Sequence, residues 1–159
     1  MKLILLFIAG AVMCLSACKP ANSDHLINHE ASLPQTFKLS DLHQKVITSF
    51  INNRQHVSGV LYGNKKAYAA ATAEKPVAIP GQAFTLLTWQ QQDDEHWFGA
   101  RIPGNLLSAE TLTLTGKSDG RGGYDYQRFL GKNLTKLADT TGNAARIKFI
   151  LQQKASITP

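Results

Sequence analysis

The chain has 159 residues, 43% of them apolar, and 17 basic residues against 11 acidic ones give a formal charge of +6. That length and composition exclude a disordered chain and accommodate one domain with a real core. The basic excess is concentrated late. After Gly120 stand Arg121, Arg128, Lys132, Lys136, Arg146, Lys148 and Lys154, against Asp125 and Asp139 alone. A face of that kind suits an acidic protein, a lipid phosphate or an anionic glycan, or serves solubility only.

Met1-Lys2 is a short positive start, and Leu3 to Leu15 is apolar almost throughout. About a dozen apolar residues fit a secretory segment and fall short of the ~20 that a bilayer span needs. Small residues Ser16 and Ala17 then precede Cys18. Leu15-Ser16-Ala17-Cys18 resembles the lipobox of bacterial lipoproteins, a likeness confined to the first eighteen residues. It implies removal of residues 1–17 and acylation of Cys18, with several acyl chains forming a stable membrane anchor where one would be marginal. Cys14 leaves with the removed segment, so no thiol remains for a disulfide and the fold must rest on packing or on a partner. Lys19 follows the cysteine; an aspartate there would imply inner-membrane retention. The resemblance therefore implies the cell outer membrane, facing the periplasm, with the inner membrane as the other location. A signal peptide cut elsewhere, or an uncleaved anchor, is the plainer reading.

Residues 18–38 are polar, carry Pro20 and Pro34, and show no sustained period, so they read as a flexible tether. His25, His29 and Glu30 have a helical ligand spacing, but no third ligand group is near and no metal is expected. Residues 39–154 read as one globular domain and 155–159 as a tail. Ser40 to Arg54 has a cap at Ser40 and an apolar stripe of Leu42, Val46 and Phe50 widened by Ile47 and Ile51, which predicts an amphipathic helix on one face of a sheet. The period then changes to two. Strands are expected over 57–62, 67–73, 84–90, 96–102, 110–115 and 146–152, with 124–130 read as strand rather than helix and 133–139 as a helical turn. Pro80-Gly81 suits a type II turn. Trp89 and Trp97 are expected to pair across a hairpin whose loop holds Asp93, Asp94 and Glu95. The fold class is α+β, mainly β: one amphipathic helix followed by an antiparallel sheet of short strands, left open or closed as a small barrel or sandwich.

No constellation of a nucleophile with an activating base stands out. His96 beside Asp94 and Glu95 reads as a solvated loop histidine. The run Ser118-Asp119-Gly120-Arg121-Gly122-Gly123 lacks the ending of a phosphate-binding loop and reads as a hairpin connection. The segment 84–102 is similar to the central hairpin of SH3-like barrels, which implies a groove at Trp97 for peptide or glycan. The sequence thus predicts an envelope lipoprotein that binds, assembles or inhibits without catalysis and without a cofactor. Its expected partners are the membrane through Cys18 and an envelope protein or anionic envelope polymer, not nucleic acid. Candidate contacts are Trp97, Arg101, Trp89, Arg146 and Lys148. The alternatives are an SH3-like peptidoglycan or peptide binder and, behind it, an envelope hydrolase.

Overall fold

The computed structural model describes residues 27–116 and 122–156. Cys18 and most of the glycine loop at 118–123 lie outside them. Six strands form one antiparallel sheet in sequence order: β1 (Lys45–Asn52), β2 (Val57–Gly63), β3 (Ala83–Asp93), β4 (Arg101–Gly116), β5 (Gly122–Leu130) and the short β6 (Thr135–Lys136). Helix α1 (Lys65–Thr72) lies between β2 and β3, and α2 (Asn143–Gln152) follows β6. The α+β, mainly β class holds. The sheet is open, neither barrel nor sandwich, and it is not an SH3-like fold.

Both faces of the sheet are covered. On one face Phe84, Leu86, Leu112 and Leu114 meet Ala67 and Ala71 of α1 and Ile150 of α2, with Ile47 and Leu61 beside them. On the other, Leu87, Trp89, Leu106 and Ala109 are covered by Ala31, Leu33, Phe37 and Leu39 from the segment before the sheet. Alternate residues of β3 therefore enter two different cores, which explains why nearly the whole strand is apolar or buried.

The expected tether thus ends earlier than Lys38. Trp89 Nε1 donates to Ala31 O at 2.9 Å, Asn28 Nδ2 donates to Pro103 O at 2.7 Å, and Asn28 Oδ1 accepts from Ala31 N at 3.2 Å. Residues 28–39 form part of the domain.

Five elements differ from the sequence expectation, one of them the strand expected over 96–102, which begins only at Arg101 in β4. The helix expected over 40–54 is a 3-10 turn (Leu39–Leu42), stopped by His43 at φ 49°, followed by β1. The run Val46-Ile47-Thr48 is β-branched, and pairing with β2 outweighs the helical stripe. The strand expected over 67–73 is α1. Its alanines favour a helix, and Asn64 Oδ1 caps it by accepting from Ala67 N at 3.0 Å. The basic strand expected over 146–152 is α2, which starts from Gly142 in the left-handed region at φ 81°. Over 133–139 the chain makes a turn and β6 in place of a helical turn.

The turn at Pro80-Gly81 is as expected. Gln82 N donates to Ile79 O at 3.3 Å across it, and Gly81 takes φ 83°. Fully buried Gln82 braces the same loop, donating to Val77 O at 3.0 Å and accepting from Ile79 N at 3.2 Å.

Candidate functional site

The five proposed contact residues do not converge. Trp89 is buried opposite Leu106 and anchors Ala31, so it neither pairs with Trp97 nor offers a surface. Trp97 lies outside any strand, in the loop between β3 and β4, and is 73% exposed. Arg101 begins β4, with its Nη1 3.0 Å from His56 Nδ1 and its Nε 3.7 Å from Asp93. Lys148 sits on the exposed side of α2, beside a shallow hollow lined by Tyr124, Ile147 and Leu151. Arg146 leaves the same helix in another direction and turns inward.

What Arg146 reaches is the most unusual group in the molecule. Glu110 of β4 is fully buried on the helix-covered face. The strand register puts it between Leu86 and Arg128. Arg146 grips it with two hydrogen bonds, Nη2 to Oε1 at 2.6 Å and Nε to Oε2 at 3.0 Å. Tyr126 donates its hydroxyl to Oε2 at 2.6 Å, and Ser108 approaches Oε1 at 3.4 Å. A two-pronged guanidinium clamp with a phenol donor satisfies a carboxylate that would otherwise be very costly to bury. Burial disfavours the Arg146 charge, but the hydrogen bonds and charge of Glu110 outweigh it and hold its pKa above the ordinary guanidinium value.

Tyr126 is pushed well above its ordinary 10.0 by burial first, then by its bond to Glu110 and the charge there. The sign for stability follows. Above pH 10 the unfolded phenol loses its proton while the folded one keeps it, so Tyr126 stabilises the fold fully below that pH and progressively less above it. Urea midpoints should therefore fall less steeply on the alkaline side in Tyr126→Phe than in the native protein. Identical alkaline slopes would remove Tyr126 from the buried cluster. Tyr62, also raised by burial, contributes equally to both proteins.

Beyond Arg146 a groove of about 740 Å³ opens on the helix-covered face. Its floor comes from Thr88 and Ser108, with Arg128 alongside. Its walls are Phe50, Val57, Leu107 and Phe149, and the turn Asn52–Gln55 closes one end. The groove forms where β3 and β4 slip register between Thr88 and Trp89, which leaves Leu107 without a strand partner. Gly59 also shapes it. The Phe50 ring lies where a Cβ would be, 2.4 Å from its Cζ. Phe50 meets Phe149 edge-on, with centroids 5.6 Å apart at 81°, and the Arg146 guanidinium lies 5.2 Å from the Phe149 centroid.

The polar lining is unbalanced. Three arginines, 54, 128 and 146, border the groove and no carboxylate does. Arg146 is neutralised by Glu110. Arg128 is the cross-strand neighbour of Glu110, yet its Nε is buried without a hydrogen-bond partner, because the Glu110 oxygens are already taken. Thr88 Oγ1, on the same floor, is also buried and unpartnered. Unmet donors beside an unneutralised cation suit an incoming anion, and the aromatic wall suits an apolar group attached to it.

Sequence reasoning missed Glu110, Tyr126, Arg128 and the two phenylalanines. The signal available was Glu110 itself, a single acid within the apolar and threonine run of β4. Among the described residues no three His, Cys, Asp or Glu side chains gather as a metal site. No helix among them is long and apolar enough to cross a membrane. The sequence matches no protein-family model and no curated protein.

Proposed function

We propose that this chain is a lipid-anchored envelope protein, held through Cys18 at the periplasmic side of the outer membrane, that binds an anionic partner without catalysing its conversion. The lipobox-like Leu15-Ser16-Ala17-Cys18 and the Lys19 that follows support the location. The observation that carries the binding reading is Arg128, a cation with a buried, unpartnered Nε in a groove that contains no carboxylate. Glu110 is the buried acid nearest this groove, and three donors occupy it. A carboxylate so held has no free oxygen to act as a base. A carboxylate or phosphate of an envelope protein or polymer would meet Arg128 and Thr88, with its apolar neighbour against Phe50 and Phe149.

The test is photocrosslinking in intact cells from the exposed groove rim at Ile51 and, for comparison, from Lys148 on the outer side of α2. Capture through Ile51 should fall at least tenfold in Arg128→Gln, the loss expected when a charge-assisted bond of about 1.5–3 kcal/mol is removed. Unchanged capture through Ile51 together with loss at Lys148 would move the partner to the helix surface and overturn the groove assignment.

A further inference from the structure

The most exposed large apolar side chains of the described residues are neighbours. Trp97 is 73% exposed and Phe98 entirely so, at the tip of the loop between β3 and β4. This tip is built and held. Asp94 Oδ1 accepts from His96 N at 2.8 Å and from Trp97 N at 3.2 Å. Asp94 N donates to Ala100 O and Ala100 N to Trp97 O, each at 3.0 Å, and Gly99 supplies φ 79°. Trp97 to Ala100 is thus a tight turn with Phe98 at its corner and a glycine where a positive φ is needed. The loop spends its polar groups on its own backbone and presents its two rings to the outside.

The chain leaves the domain toward Cys18 at the same place. Ile27, 51% exposed, lines one hollow with Trp97, Asp94 and Ile102, and Asn28 is pinned to Pro103 O of β4. Cys18 precedes Ile27 by nine residues, which can span at most about 30 Å. An anchor at Cys18 therefore keeps this end of the sheet within a domain's width of the bilayer.

We propose that the Trp97–Phe98 turn, with Ile27 beside it, is a second membrane contact that dips into the headgroup boundary of the bilayer holding the Cys18 lipid. This rests on the lipid-anchor reading. Tryptophan favours the interface, where its ring is buried and its N–H stays wet, and phenylalanine favours the acyl side of it. The lipid raises the local concentration of bilayer around the loop, so a contact too weak to hold the domain alone becomes occupied. The loop carries no excess of cations to draw anionic lipid. Asp93 lies near Arg101, Asp94 is engaged in the turn and Glu95 is exposed beside it, so the contact does not depend on anionic lipid. Two attachments fix which end of the sheet faces the membrane.

The experiment uses the mature lipidated protein in vesicles of phosphatidylethanolamine and phosphatidylglycerol with brominated acyl chains. Of the two tryptophans, Trp89 is buried under Ala31, so quenching should reach the Trp97 emission and should be absent in Trp97→Phe. Phe98→Asp should float with the vesicles as before, keep its palmitate label and lose the quenching. The quenching should also survive high salt and the removal of phosphatidylglycerol. Labelled, floating protein whose Trp97 is not quenched would overturn the membrane contact and leave the anchor standing. So would a photoreactive residue at position 98 that captures protein and no lipid. A protein that takes up no palmitate and does not float, or one labelled equally in Cys18→Ser, would overturn the anchor reading itself.

Discussion

Glu110→Ala is expected to destabilise the fold by about 3–5 kcal/mol, the usual loss when one member of a buried, hydrogen-bonded ion pair is removed. Three effects combine. Arg146 loses both of its bonds and Tyr126 its short one. Arg128, already without a partner for its Nε, gains an unneutralised cation next to it. A void opens under Leu86 and Leu112, both fully buried. A chemical denaturation series measures the loss directly. The charge cluster itself is not irreplaceable. Glu110→Leu combined with Arg146→Met and Tyr126→Phe should recover most of the stability, because apolar groups of similar volume often match a buried pair. A loss below about 1 kcal/mol in Glu110→Ala would place the carboxylate at an ordinary surface position.

Trp89→Ala should cost a comparable amount, about 3–5 kcal/mol for a buried tryptophan, with an additional local effect. Trp89 fastens residues 31–39 to the back of the sheet through its contacts and its bond to Ala31 O. Amide exchange at Leu33 and Phe37 should therefore accelerate more than exchange in β1, which β2 separates from β3. Trp89→Phe keeps most of the ring and removes the bond, so it should lose only about 1 kcal/mol globally while still loosening the segment. Equal acceleration everywhere would mean that the segment opens only when the whole domain does. The opposite pattern, intact stability with loss of partner binding, would restore Trp89 as a surface contact.

The β core was legible where the pattern was unambiguous. Phe84 to Gln90 is rich in β-forming residues and apolar on both faces, and it became the central strand with a core on each side. Val57 to Tyr62 and Tyr124 to Leu130 also pair as expected. The failures have physical causes. Ser40-Asp41 do start a helical turn, but one turn only, because His43 reverses the chain and Val46, Ile47 and Thr48 prefer the pleat. In Lys65–Thr72 the alternation of Tyr68, Ala70 and Thr72 masked an alanine run with an asparagine cap, the stronger of the two signals. In 146–152 the apolar residues satisfy both periods at once, and Ala144-Ala145 just upstream decide for the helix. That last substitution changed the reading of the site. On a strand Arg146 and Lys148 would share one basic face, whereas on a helix Arg146 points to Glu110 and Lys148 away from it. The groove itself was not legible, because it depends on a register slip between two strands.

Strand order along the sheet also sets how the chain assembles. Each strand bonds to the one that follows it in sequence, so pairing can proceed as a zipper with no long search for a remote partner. The costly loop closures are left to the two ends. Ala31 must find Trp89 across 58 residues, and Ser156 must find Thr48 across 108, with Ser156 N also donating to Ile47 O. The terminal segments are therefore clasps, expected to close last on the sheet and to exchange their amides first, which native-state hydrogen exchange would show. Each clasp also completes a core, residues 31–39 on one face of the sheet and Ile150 of α2 on the other.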